Sequence, residues 1–239
     1  MKVQLKAYKK DFEYSYTLGV FPTLELLSFQ RDKVIEVILS SDAMENEGVI
    51  KIIDICKENN IKCEINNKAI NRISKKQNSY AIGVFEKYNM DLDMDKNHLV
   101  LVEPSDMGNL GTIIRTMLGF GIKNLAIIKP AVDIYDPKAI RASMGAVFKI
   151  SFEYFHSFEE YMNRFDHNIY TFMLDAQESL QNVNVKKDKA FSLVFGNEGS
   201  GLSSEFSNIG TSIIIPHSNE IDSLNLSIAV GIAIYEFTK

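Results

Sequence analysis

The stretch GNLGTIIRT, residues 108–116, sets Asn109 beside glycines just past an apolar run, HLVLVEP, and then brings Arg115 into the apolar row IIRTMLGF. A carboxamide donates and accepts at one place, and a guanidinium grips phosphate or a developing oxyanion through paired, charged hydrogen bonds. Two further stretches follow apolar runs in the same way: GNEGSG, residues 196–201, with Glu198, and PHSNEIDSLN, residues 216–225, with Ser223 and Asn225. Glycine leaves the backbone free to take positive φ and to come close to a ligand, so that main-chain groups do the recognising. The glycines at 196, 199 and 201 fit neither GxGxxG nor a phosphate loop ending in GK[ST], which argues against a standard Rossmann cofactor and against a nucleotide-dependent oxidoreductase. Each polar residue also has a plain structural use. Asn109 and Glu198 can satisfy loop backbone, Ser223 can cap the last helix, and Arg115 can lie along a helix face with its head in water.

Residues so placed need a scaffold that delivers several loops to one edge. From residue 98 onward, apolar runs alternate with helical patterns: strand HLVLVE, loop SDMGNLG, helix TIIRTMLGF, strand NLAIIK, a helix around PKAIRASMGAVF, strand KISFEYF and helix SFEEYMNRF. Strands NIYTFMLDA and AFSLVFG, helix LSSEFSN, strand TSIIIP and a last helix from about Ser223 follow. Strands apolar on both faces and separated by helices imply a mostly parallel sheet covered on each side, with ligands bound at the carboxyl ends of its strands. Before residue 90 the pattern is a smaller α/β unit, and the polar, acidic NMDLDMDKN at 89–97 reads as the boundary. The expected domains are residues 1–90 and 96–239.

At 239 residues and 46% hydrophobic the chain can bury a proper core, and it reads as a globular cytoplasmic protein without a secretion signal. Its longest apolar stretch, IAVGIAIYEF, is about half of the ~20 residues a membrane helix needs. Cys56 and Cys63, in CKENNIKC, match no zinc spacing and read as reduced thiols; no metal is expected. The net charge of -5 is uneven: residues 1–90 carry 14 Lys+Arg against 12 Asp+Glu, and the rest 12 against 19. An acidic average leaves room for a local basic face.

Together GNLGTIIRTMLGFG, LVFGNEGSGLS and IIIPHSNEIDSLNLSIAVGIAIYE resemble the three motifs of the SpoU or TrmH family of RNA ribose 2′-O-methyltransferases, in the SPOUT superfamily. The resemblance runs from residue 98 to 239, and RASMGAVF is similar to the helix between the first and second motifs. It implies a deep trefoil knot, S-adenosylmethionine held in the knotted loops, and a homodimer. Carried over by position, Gly196, Ile215 and Leu224 become cofactor contacts, with Pro216 shaping the same loop. Asn109, Arg115, Glu198, Ser223 and Asn225 become the polar residues of the active site.

In that mechanism Arg115 activates the ribose hydroxyl. A guanidinium stays protonated at ordinary pH, so the preferred role is a clamp on an RNA phosphate and the nascent alkoxide, with Glu198 and Asn225 orienting it. The first domain resembles the ribosomal-protein-like RNA-binding domain of several members. Lys68, Arg72, Lys75 and Lys76 recur at helical spacing in NKAINRISKKQN and form a candidate RNA-binding face. Ribosomal RNA is the first expectation for the substrate and transfer RNA the second. A catalytically silent RNA-binding protein of the same fold is the alternative.

Overall fold

The computed structural model describes residues 3–74, 79–186 and 188–239. The chain runs β1 (Tyr14–Tyr16), α1 (Val20–Phe29), β2 (Val34–Leu39), α2 (Glu47–Glu58), β3 (Cys63–Ile65), α3 (Asn67–Ile73) and β4 (Ala81–Glu86). It continues through β5 (His98–Val102), α4 (Met107–Gly119), β6 (Asn124–Ile128), α5 (Pro137–Ala142), β7 (Ser151–Phe155), α6 (Phe158–Arg164) and β8 (Asn168–Phe172). The remaining elements are β9 (Glu178–Ser179), β10 (Phe191–Phe195), β11 (Thr211–Ile214) and α7 (Leu226–Thr238).

These elements form two compact units, Met1–Tyr88 with Asp133–Lys149, and Asn89–Val132 with Ile150–Lys239. The segment carrying RASMGAVF, expected within the second domain, therefore packs in the first unit. Its aromatic residues explain this: the Phe85 ring meets Tyr135 and Phe148 edge-on at centroid distances of 5.7 and 5.3 Å. The Ser15 hydroxyl also donates to the Tyr135 carbonyl at 2.5 Å. Gly145 has φ of +79°, and a Cβ there would fall 2.7 Å from Glu25 Cβ, so both the turn and the packing call for glycine.

In the first unit the sheet order is β1-β4-β2-β3, antiparallel except for the β2–β3 pair. Strand β1 was not expected, because YSY lies in a polar stretch. Its tyrosines are buried, and Tyr14 is bound through its hydroxyl to the Gln4 carbonyl. Helix α2 shows the expected amphipathic logic, with Val49, Ile52 and Cys56 inward and Asn46 accepting from the Gly48 and Val49 amides as N-cap. On α3 the core takes Ala69, Ile70 and Ile73, which leaves Lys68 and Arg72 exposed. Lys75 and Lys76 lie outside the described residues.

The second unit holds the parallel sheet. Among the described residues its order is β7-β6-β5-β10-β8-β11-β9, with every pairing parallel. The central strands are buried on both faces, as their unbroken apolar runs require: Leu99, Val100, Leu101, Leu125, Ala126 and Ile127 are fully enclosed. The stretch LSSEFSN forms a short 3-10 turn at Ser204–Asn208 rather than a helix. No helix among the described residues is long and apolar enough to cross a membrane.

Candidate active site

A parallel sheet points all its strand ends the same way, so the segments after β5, β10 and β11 emerge on one edge. The first of these is less of a loop than its glycines suggest. Helix α4 begins at Met107, and the Asp106 side chain caps it by accepting from the Asn109 amide at 2.7 Å, which puts Asn109 in the first helical turn. Arg115 lies further along α4, exposed, with no hydrogen bond or ion pair among the described residues.

Glu198 joins the second segment to the first. One carboxylate oxygen accepts from the Ser105 amide at 2.9 Å and the Ser105 hydroxyl at 2.7 Å; the other accepts from the Asp106 amide at 3.1 Å and Asn109 Nδ2 at 3.4 Å. Burial raises the carboxyl pKa, but the bonds from the Ser105 side chain and amide, its own amide and the Asp106 amide outweigh that and hold it below the usual carboxylate value. Glu198 is therefore an anionic strap on the β5–α4 segment rather than a partner of Arg115. Its neighbour Asn197 repeats the tie, donating to the Glu103 carbonyl at 2.7 Å while accepting from the Gly199 amide at 2.8 Å.

The third segment is tied in through an amide relay whose direction is fixed by its ends. Asn225 caps α7, its Oδ1 accepting from the Ser227 amide at 2.9 Å, so Asn225 rather than Ser223 is the cap. That leaves Asn225 Nδ2 to donate to Asn109 Oδ1 at 3.2 Å, and Asn109 Nδ2 to donate onward to Glu198. Three segments distant in sequence thus converge on one carboxylate.

Beside this relay lies a cavity of about 170 Å³, lined by Gly196, Glu198, Ile215, His217, Ser223 and Leu224 among others. Gly196 has no room for a side chain: a Cβ there would sit 2.1 Å from the Gly201 carbonyl carbon. Four expected residues that share this wall, Gly196, Ile215, Ser223 and Leu224, are joined by Glu198. Pro216 lines an adjoining hollow with Leu174 and Asp222, while Asn109 and Asn225 are joined to the wall through Glu198. Sequence reasoning missed Ser105, whose only signal was its place before a helix cap, and His217, which stands inside the PHSNEIDSLN stretch.

Residues 96–235 match the SpoU rRNA methylase family. The chain belongs to that family. Among similar proteins, an uncharacterised tRNA/rRNA methyltransferase of Synechocystis sp. is 30% identical over 140 residues, covering 58% of this chain and 51% of that protein. The tRNA (cytidine-2′-O-)-methyltransferase TrmJ of Sulfolobus acidocaldarius is 30% identical over 151 residues, covering 59% and 64%. The chain thus spans about half to two thirds of the length of the curated relatives it matches. In fold, this SpoU chain matches the AdoMet-bound rRNA methyltransferase of Sinorhizobium meliloti with a TM-score of 0.79 at 23% identity, covering 94% of this chain and 87% of that one.

Proposed function

We propose that this SpoU chain transfers a methyl group from S-adenosylmethionine to a ribose 2′-hydroxyl of structured RNA, ribosomal RNA before transfer RNA. The observation that carries the reading is the convergence of Asn109, Glu198 and Asn225 beside a cavity walled by Gly196, Ile215 and Leu224. The donor set fits the cofactor: an apolar slot for an adenine ring, and backbone at Gly196 free of any side chain. Relatives described as RNA 2′-O-methyltransferases support the ribose as target. The knotted threading of these loops belongs to the same reading.

Bound there, S-adenosylmethionine supplies an electrophilic methyl. What remains for the chain is to hold the acceptor oxygen in line and to stabilise its developing charge. Glu198 and the two asparagines keep the three segments in one geometry. Arg115, exposed and unpaired among the described residues, is available to clamp an RNA phosphate and the nascent alkoxide. Arg115→Lys tests that role: near-total loss of transfer at every pH supports the fork geometry, whereas substantial turnover with a displaced pH profile supports proton abstraction by the side chain.

The working form is a homodimer in this reading. Ile228, Ile232 and Tyr235 make an exposed apolar stripe on α7, 55%, 40% and 59% accessible, and Tyr235 meets exposed Phe120, just past the end of α4, at 6.1 Å. Such a patch marks an association surface. Lys68 and Arg72 supply phosphate contacts from the first unit. Calorimetry with S-adenosylmethionine tests the donor site: micromolar-range binding supports the enzyme, and no binding supports the silent RNA-binding alternative.

A further inference from the structure

Asn197 and Glu198 stand side by side in the turn after β10, and between them they grip the main chain of one other segment, residues 103–106. The grip is complementary. Glu198 offers only acceptors and takes the Ser105 and Asp106 amides, whereas Asn197 Nδ2 donates to the Glu103 carbonyl at 2.7 Å. That carbonyl belongs to a strained residue: Glu103 has φ of +55°, a left-handed conformation that glycine takes freely and a glutamate takes at a cost. The Glu103 amide is fixed on the Ile128 carbonyl at 3.0 Å, and from this corner the chain leaves β5 for the cap of α4. On its other side, Asn197 Oδ1 accepts from the Gly199 amide at 2.8 Å and the Ser200 amide at 3.4 Å. The Asn197 main chain also exchanges bonds with Gly201 at 3.3 and 2.9 Å. These bonds fold residues 197–201 back on Gly196, and the whole turn lines the cavity.

We propose that Asn197 is a positioning residue of the transfer, coupling the wall of the donor cavity to the start of α4 through one carboxamide; this rests on the methyl-transfer reading above. Its oxygen shapes the turn that walls the cavity, and its nitrogen pins the left-handed corner from which Ser105, Asp106 and α4 depart. Asn109 and Arg115 ride on α4, so relaxation at Glu103 displaces the side chains that face the acceptor. Displacements of that size are costly to a reaction that needs its atoms in line. The two halves of the carboxamide are separable. Aspartate keeps an acceptor for the Gly199 amide but turns a second acceptor on the Glu103 carbonyl, whereas alanine loses both bonds. The strain has a use as well: a glycine at this corner would be free to leave it, whereas a residue pinned by Asn197 holds one geometry.

The test compares Asn197→Asp, Asn197→Ala, Glu103→Gly and Asn197→Ala combined with Glu103→Gly, by S-adenosylmethionine calorimetry and by single-turnover methyl transfer to ribosomal RNA at saturating donor. Asn197→Asp is expected to bind the donor within about threefold of the wild type and to transfer about thirtyfold more slowly. Asn197→Ala should transfer about as slowly and lose about tenfold in donor affinity besides. The Glu103→Gly chain takes the left-handed corner without a pin, so in that background Asn197→Ala should slow transfer only about threefold. A general loss of stability would not produce that rescue. Transfer within about twofold of the wild type in both Asn197 variants, equal losses of donor affinity in the two, or a cost of Asn197→Ala unchanged by Glu103→Gly would each overturn the coupling while leaving the methyltransferase reading standing. Should Asn197→Ala fail to fold, the split between affinity and rate in Asn197→Asp decides alone. A wild type that binds no donor and transfers no methyl would overturn both.

Discussion

The two ends of the parallel sheet each carry histidine among other polar groups, and they are closed and open respectively. At the amino ends of β5, β8 and β10 the polar groups turn on one another. His98 Nε2 donates to the Asp93 carbonyl at 2.8 Å, and its Nδ1 bonds the Tyr161 hydroxyl at 2.8 Å. The Tyr161 and Ser192 hydroxyls bond at 2.6 Å; Ser192 bonds His167 Nδ1 at 2.9 Å, and His167 Nε2 donates to the Met94 carbonyl at 2.9 Å. All four side chains are buried, and every ring nitrogen has a partner. At the carboxyl ends, His217 lines a cavity with Nδ1 bonded to the Ile215 carbonyl, and Arg115 has no partner among the described residues. The difference teaches that polar groups closed off by one another serve stability, whereas those left without partners at the strands' carboxyl ends are available to a ligand. Asp93 and Met94 also show the acidic connector being put to use, since their carbonyls anchor it beneath the sheet.

That contrast can be broken from either end. The largest effect is expected from Glu198→Ala, which removes the acceptor of four hydrogen bonds: transfer should fall by about a hundredfold or more while the thermal midpoint moves little, as read by tritium transfer and calorimetry. Acid should act through the other end. Burial pushes His98 down to about 4, and burial also lowers His167. An unfolded histidine titrates near 6.5, so between those values the unfolded chain binds protons that the folded chain refuses. The stability is complete above about pH 6.5 and is lost as pH falls toward 4, by about 2 kcal/mol at pH 5 for His98 alone. Urea unfolding at pH 7.5 and pH 5 measures it.

Tyr161→Phe should cost about 1–3 kcal/mol of stability by leaving buried partners unsatisfied, with transfer at permissive temperature unchanged. A loss of activity out of proportion to stability would erase the distinction between the two ends. The smallest effect belongs to the first unit: neutralising Lys68 and Arg72 should weaken RNA binding several-fold and reduce its salt slope by about 1 to 2, uniformly across sequences.

Much of this was legible in the chain. Unbroken apolar runs such as HLVLV and NLAII announced buried parallel strands, and Asn109, Glu198 and Asn225, each singled out in a segment after an apolar run, are side chains that the fold joins by hydrogen bonds. What escaped had physical reasons. Strand β1 hides in a polar segment because tyrosine brings its own hydrogen bond into the core. The 133–149 segment reads as part of the second domain, since only three-dimensional packing of Phe148 and Tyr135 on Phe85 assigns it to the first unit. Glu198 reads as a partner for an arginine, but backbone amides at the start of α4 lie closer at hand. The bond from His217 Nδ1 to the Ile215 carbonyl is one that no residue type predicts.

The most direct test incubates the purified protein with tritium-labelled S-adenosylmethionine and ribosomal RNA, then identifies the labelled nucleoside after complete digestion. Label on a 2′-O-methylated ribose is the predicted result. Label on a base, or none in any RNA offered while the protein remains folded, would contradict the account.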